Sequence, residues 1–273
     1  MSDLDEVVEA VEGVSTFQPR KREKRMGAIL EYLLAHSPST VEELTEQFGV
    51  SAMTIYRDIA DLEADSLVVR NHGEVSAAAS TLVESSARLR IHANVDLKRK
   101  LAEAALAKVH RGNSLFLDDS TTNLHLFPDL AQLSPLTVIT NARFIAKKVV
   151  KESELRLVST GGDYIDWADA YFGPLAVQTI RSMRADLCIM SSSAVRDGYC
   201  FHPDVMVAEV KRAMLEAAEH RILVVDHSKF SRTALHRVDS LDVFDVVITD
   251  SLVSSEVLEE LKSSTVEVVI VDQ

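Results

Sequence analysis

Apolar residues recur at three- and four-residue spacing near the start of this chain, then in short unbroken runs. Met26, Ile29, Leu30, Leu33 and Leu34 follow the helical period, which predicts a first helix from about Lys24 to Ala35. Ser37-Pro38-Ser39 breaks it. Thr40 followed three residues later by Glu43 has the capping-box pattern, so a second helix starts there. It buries Val41, Leu44 and Phe48 and closes at Gly49, where glycine tolerates left-handed geometry. Ser51 caps a third helix with Ile55, Ile59 and Leu62 on one face. Leu67–Arg70 reads as a strand, 71–73 as a turn, and Glu74-Val75-Ser76 as the return strand.

From Asp96 the pattern changes to helices alternating with short apolar strands. These are Ser114–Leu117, Leu136–Thr140, Leu155–Ser159, Asp186–Met190, Ile222–Val225, Asp245–Thr249 and Val266–Val271. Such alternation predicts a mostly parallel sheet covered by helices. The fold class is therefore α/β: an N-terminal winged helix-turn-helix, then a mostly parallel-sheet α/β domain. The expected boundaries are a flexible acidic tail over 1–19, a winged helix-turn-helix over 20–76, a partly helical connector over 77–95, and the α/β domain over 96–273.

Three short helices and a hairpin joined by a tight 48–51 turn fit helix-turn-helix geometry, in which the third helix enters the major groove. With Ile55, Ile59 and Leu62 facing the core, Ala52, Met53, Tyr56 and Arg57 point outward and Thr54 lies at the edge. Arg57 suits guanine or phosphate, and Ser51, Thr54 and Tyr56 suit phosphates. Ala52 or Met53 suits a thymine methyl. Arg70 and His72 sit where a wing would approach DNA. A trihelical protein-interaction module fits the same pattern.

Charge complicates that reading. The chain carries a net charge of −13, and DNA is a polyanion. Residues 20–73 hold seven bases and nine acids, with five of the bases clustered at Arg20, Lys21, Arg22, Lys24 and Arg25. DNA binding then calls for a local basic face and a dimer.

A second constellation lies at strand ends, where ligands bind in open α/β sheets. Strand Ser114–Leu117 runs into Asp118-Asp119-Ser120-Thr121-Thr122, a hydroxyl-rich turn that presents backbone N–H groups to an anion. Asn141, Gly161-Gly162, Asp226, Lys229 and Asp250 end other strands, and Lys211 on a helix from about Val205 could supply a cation. Gly161-Gly162 would let backbone approach a ligand closely. Ser120, Thr121 and Asn141 equally suit plain helix caps, and Lys211 a solvated surface charge. Pro128 should kink or shorten the helix after the Ser120 turn.

The stretches Thr54-Ile55-Tyr56-Arg57-Asp58-Ile59, Arg70-Asn71-His72-Gly73, Leu117–Thr122, Val138–Asn141, Gly173-Pro174-Leu175-Ala176, Val210–Met214, Asp226–Phe230 and Ile248-Thr249-Asp250 resemble the DeoR family of bacterial regulators. The resemblance implies an effector domain similar to sugar-phosphate isomerases, used for sensing. It implies that Ser120, Thr121, Thr122 and Lys211 contact phosphate, while Asp118, Asn141, Asp226 and Lys229 contact or frame the sugar. It further implies a repressor of carbohydrate-metabolism genes. The expected partners are double-stranded operator DNA, a phosphorylated sugar effector, and further copies of the chain in a homodimer or higher homo-oligomer. Tyr56 stands where the family usually has a second arginine, and Asp119 where it commonly has glycine, so operator and effector preferences should differ from the family pattern.

The alternative is a sugar-phosphate isomerase-like enzyme. Asp118, Asp226 and Glu209 offer carboxylates for proton transfer. No metal-ligand cluster, nucleophile elbow or P-loop lysine motif accompanies them, and the isolated His202 and His227 read as structural or solvent-facing. No cofactor is expected. Cys188 and Cys200 indicate neither a disulfide framework nor a zinc site. No apolar run approaches the roughly 18–20 residues a bilayer span needs. Met1–Glu12 is acidic, unlike a signal peptide. A cytoplasmic location is expected.

Overall fold

The computed structural model describes residues 21–65, 67–71, 73–78, 84–152 and 154–272. The expected tail over 1–19, with Arg20, lies outside the described residues, as do His72 and 79–83 of the expected connector.

Helix α1 (Lys21–Ala35) includes residues ahead of its apolar pattern, among them Arg22, which together with Arg25 pairs with Asp58. Strand β1 (Ser39–Thr40) follows, then α2 (Val41–Phe48). The capping box is complete: Glu43 N donates to Thr40 Oγ1 at 3.2 Å and Thr40 N donates to Glu43 Oε2 at 2.8 Å. Gly49 adopts φ 61°, left-handed as expected. Helix α3 (Ala52–Ala64) is capped by Ser51 Oγ, which accepts from Thr54 N at 3.3 Å. Strands β2 (Val68–Asn71) and β3 (Glu74–Ala77) form the expected hairpin. Its third strand was not legible in the sequence: β1 pairs antiparallel with β3, Ser39 opposite Val75. Two residues carry no periodicity, so β1 had no pattern to show.

The connector holds a single described helical turn, α4 (Ala87–Arg90), and α5 (Val95–Leu106) then begins. The α/β part continues with β4 (Ser114–Leu117), a 3₁₀ segment (Thr121–Leu126), α6 (Phe127–Leu130), β5 (Leu136–Thr140), α7 (Arg143–Lys151) and β6 (Leu155–Ser159). Pro128 sits in the first turn of α6, and what would be one helix is split into 3₁₀ and α pieces, because proline offers no N–H to the preceding turn. Next come β7 (Asp163–Ile165), β8 (Ala170–Phe172), α8 (Gly173–Arg181), β9 (Ala185–Met190), β10 (Ala194–Arg196), β11 (Tyr199–His202), α9 (Val205–Ala217) and β12 (Ala218–Val224). The chain closes with β13 (His236–Ser240), β14 (Val246–Asp250), α10 (Ser255–Ser263) and β15 (Glu267–Val271).

All seven strands expected from the sequence join one seven-stranded parallel sheet in the order β15-β14-β12-β9-β4-β5-β6. The strands it missed are short antiparallel ones, the β7–β8 hairpin and the β10-β11-β13 sheet. His236–Ser240, for instance, buries only Val238, too little for an alternating pattern.

Two hydrophobic cores result. One joins Met26, Ile29, Leu33, Leu44, Ile55, Ile59, Leu62 and Val75 of the winged helix. The other fills the space between the large sheet and its helices. Helix α4 belongs to both: Leu89 is buried in the first core and Ala87 in the second.

Candidate functional site

On the winged helix, α3 turns Ser51, Ala52, Met53, Tyr56 and Arg57 to the exterior, with Met53 64% and Tyr56 45% exposed. Thr54 is half-buried and shares a hydrogen bond with Ser51, Oγ to Oγ1 at 2.9 Å. The inner face of α3 carries one charge, Asp58, fully buried. Arg22 Nε reaches its Oδ1 at 3.0 Å and Arg25 Nε its Oδ2 at 2.5 Å. Arg22 also pairs with Asp61 at 2.6 Å and donates to the Arg57 carbonyl at 3.1 Å. Part of the expected basic face is thus turned inward, fixing α3 onto α1. On the wing, Arg70 forms a two-pronged pair with Glu63, at 2.9 and 2.6 Å. His72 lies outside the described residues.

The second site is a cavity at the carboxyl ends of β4, β9 and β12. From β4 the chain adds β5 and β6 on one side, then crosses to build β9, β12, β14 and β15 on the other. The cavity therefore stands at the point where strand order reverses, the usual ligand position in such sheets. Of the sequence candidates, Ser120, Thr121, Thr122, Lys211, Asp226 and Lys229 line it. Ser120 Oγ accepts from Thr122 N at 3.2 Å, and Asp226 Oδ1 accepts from Ser228 N at 2.9 Å. Ser120 and Asp226 thus cap short turns while facing the cavity.

Asp118 stands behind the wall. Its carboxylate accepts from Ser120 N at 3.0 Å, Asn123 Nδ2 at 2.9 Å and Ser191 N at 3.1 Å, and it pairs with the Lys211 ammonium. Lys211 is buried, which removes the surface-charge alternative for it. Burial disfavours its charge, but the Asp118 and Asp119 carboxylates outweigh burial and raise its pKa, so it stays protonated. Asp119 lies 3.3 Å from Lys211 Nζ and 3.7 Å from Arg90 Nη2. Burial pushes its pKa up, and Lys211 and then Arg90 bring it below the usual range. Both its oxygens are buried without a well-aligned hydrogen-bond donor among the described residues.

Asn141, Gly161 and Gly162 do not line this cavity. Asn141 Nδ2 donates to the Tyr171 carbonyl at 3.1 Å. A Cβ on Gly162, at φ +119°, would stand 2.3 Å from the Phe172 carbonyl oxygen. Gly162 makes room for neighbouring backbone, so the close approach expected there is made by the chain itself, while a Cβ on Gly161 would meet open space.

Several lining residues escaped the sequence reading, among them Glu84, Arg90, Lys98, His202 and Arg232. Glu84 and Arg90 belong to the stretch read as connector. Lys98 sits on α5, buried, and donates to Thr121 Oγ1 at 3.2 Å. His202 is buried, its Nδ1 accepting from Asp204 N at 3.0 Å and its ring stacked on Trp167. Burial pushes its pKa down to about 4. Burial also lowers Lys229, helped by the adjacent charge of Arg232. Nothing in local sequence marks these residues, because their grouping comes from the fold.

The sequence pattern described as the DeoR C terminal sensor domain matches residues 93–251, and that of the DeoR-like helix-turn-helix domain matches residues 25–81. The chain belongs to the DeoR family. Among its relatives, the glycerol-3-phosphate regulon repressor of Escherichia coli is 30% identical over 232 residues, spanning 85% of this chain and 92% of the relative. The L-fucose operon activator of Escherichia coli is 30% identical over 229 residues, 83% and 94% of the two chains. The transcriptional repressor AccR of Agrobacterium fabrum is 30% identical over 230 residues, 83% and 89%. Among solved structures, ribose 5-phosphate isomerase A of Methanocaldococcus jannaschii overlaps 50% of this chain and 55% of its own, with a TM-score of 0.37 and 16% identity. An overlap that loose carries no functional weight. This DeoR chain is a DNA-binding transcriptional regulator, and its family and named relatives are regulators, not enzymes. Among its described residues no helix is long and apolar enough to cross a membrane.

Proposed function

We propose that this DeoR regulator represses carbohydrate-metabolism genes by binding operator DNA as a homodimer or higher homo-oligomer, and that a phosphorylated sugar in the β4–β9–β12 cavity controls it. Residues 20–76 form the DNA-binding part, 77–95 the connector and 96–273 the effector-binding part. On DNA, α3 enters the major groove, where Ala52 or Met53 meets a thymine methyl, Arg57 meets guanine or phosphate, and Ser51, Thr54 and Tyr56 meet phosphates. Arg70 and His72 approach the backbone beside it. The chain works where the chromosome is, in the cytoplasm.

The observation that carries the effector reading is the chemistry of the cavity wall. The hydroxyl-rich Ser120–Thr122 turn, Lys98, Lys211 and Lys229 give an anion donors and positive charge. Asp119, beside Lys211 and Arg90, adds buried acceptor oxygens with lone pairs for sugar hydroxyls. Asp118 frames the wall through Lys211, and Asp226 and Lys229 close the far side. That the relatives include a glycerol-3-phosphate regulon repressor and an L-fucose operon activator supports a carbohydrate-derived effector.

The test is a gel shift on DNA upstream of the protein's own gene, with a panel of sugar phosphates. A specific shift that one compound releases is the expected result. A specific shift that no sugar phosphate alters would overturn the effector assignment, and its absence on selected random DNA would overturn the DNA assignment.

A further inference from the structure

The effector cavity is not walled by the sensor domain alone. Glu84, from the connector, points a carboxylate into it. Its Oε2 accepts from Ser193 Oγ, and its Oε1 accepts from Ser85 N at 3.0 Å and Ser85 Oγ at 3.3 Å. Arg90, Lys229 and Arg232 line the same cavity. Burial would push Glu84's pKa up, yet these three cations hold it well below the usual carboxylate range. They gain charge balance from Glu84 but no hydrogen bond, since its described donors are all serine groups. Arg90 Nε and Nη2 and Arg232 Nε are buried without a hydrogen-bond acceptor among the described residues. The arrangement holds positive charge and unused donors, which Glu84, Asp119 beside Arg90 and Asp226 beside Lys229 balance without a hydrogen bond to either guanidinium Nε.

A phosphate group satisfies such donors better, because it carries more charge and presents several acceptor oxygens to a guanidinium fork. We propose that Glu84 is a built-in competitor of the effector: its carboxylate fills the Arg90–Lys229–Arg232 side of the cavity, and the anionic group of the ligand must expel it to bind there. This rests on the reading of the cavity as an anion site.

Expulsion has a mechanical path to the DNA-binding part. Three residues beyond Glu84, Ala87 is anchored in the sensor core; two further on, Leu89 is buried in the winged-helix core, and Arg90 returns to the cavity. The stretch of connector that carries the competing carboxylate thus touches both cores. A ligand that binds only when Glu84 is out therefore favours one arrangement of this segment over the other, which is the condition for shifting an equilibrium.

The test uses the full chain and inorganic phosphate, titrated by calorimetry into wild type, Glu84→Gln and Ser193→Ala. Glu84→Gln removes the competing charge, and Ser193→Ala removes one of the hydrogen bonds that hold the carboxylate without changing any charge. Both should bind phosphate tighter, Glu84→Gln by roughly tenfold, as expected when a competitor fills the site about nine-tenths of the time, and Ser193→Ala by a smaller factor. Hydrogen exchange over residues 84–93 should rise when phosphate is added to wild type. Tightening in Glu84→Gln alone, with Ser193→Ala unchanged, would reduce Glu84 to a background charge and overturn the displacement. Equal or weaker binding in both variants overturns it as well, while leaving the cavity an anion site. No phosphate binding by any of the three proteins overturns both the competitor and the anion-site reading.

Discussion

The carbonyl oxygen of Leu89 lies 2.9 Å from the point where a Cβ on Gly27 would stand. Gly27 is in α1 of the winged helix and Leu89 in the connector, so glycine lets the two backbones meet. The Leu89 side chain, buried in the winged-helix core, holds them there.

Replacing Gly27 with alanine separates packing from helix propensity. In an ordinary helix the change stabilises by about 0.8–1 kcal/mol. Here the added methyl meets backbone, which cannot rotate away. Gly27→Ala should therefore lower the melting temperature, checked by a thermal melt of the full chain; a rise would mean that the contact yields freely.

Lys211 should matter first for the fold. It is the buried counter-charge of Asp118 and Asp119. Breaking a buried pair by removing one partner typically costs about 3–5 kcal/mol. Lys211→Ala should show a loss of that order in urea unfolding. Wild-type stability would mean that water or rearrangement already screens the two carboxylates.

Arg57 should matter only for DNA. Its side chain is exposed and makes no ion pair or hydrogen bond among the described residues, while its backbone carbonyl accepts from Arg22. Arg57→Ala should leave the melting temperature unchanged. In a gel shift it should weaken operator binding by about 1–3 kcal/mol if the guanidinium reads a base. Unchanged affinity would mean that α3 presents a different face.

His202 should make the protein sensitive to mild acid. Burial lowers its pKa from 6.5 to about 4 in the fold, with Glu84 and Asp119 favouring its charge and Lys211 and Arg90 opposing it. Between those values the unfolded chain binds a proton that the folded chain does not, so stability falls as pH drops through this window. The loss should approach about 3 kcal/mol by pH 4. The carboxylates lowered by the fold, Glu84 and Asp119 among them, add their losses lower still, as pH falls below their unfolded values. Urea unfolding between pH 7 and 4 on wild type and His202→Gln checks this: the variant should show a flatter profile in the upper part of that range.

What the sequence made legible follows the distance over which each feature is encoded. The caps at Thr40 and Ser51, the left-handed Gly49 and the seven sheet strands depend on neighbours a few residues apart. The ion pairs that organise both sites do not: Arg22 and Asp58 are 36 positions apart, and Lys211 and Asp118 are 93. Lys211 read equally as a site cation and as a surface charge for that reason. Glu84 and Arg90 were hidden differently, because a short polar stretch between domains carries no pattern that separates a linker from a wall. Asn141 and Gly161-Gly162 had the right chemistry at the right kind of strand end, but at β5 and β6, to one side of the strand-order reversal.

The inward turn of Arg22 and Arg25 onto Asp58 has a consequence for how this regulator holds DNA. A guanidinium already neutralised by a buried carboxylate displaces few counterions when a duplex arrives, and Arg70 is similarly engaged by Glu63. Each phosphate that a protein neutralises steepens the fall of affinity with salt by about 0.9 in logarithmic slope. A winged helix that engages Arg22, Arg25 and Arg70 on its own scaffold and leaves Arg57 to the duplex should therefore show a shallow salt dependence. Its hold on an operator would then change little with the ionic strength of the cell.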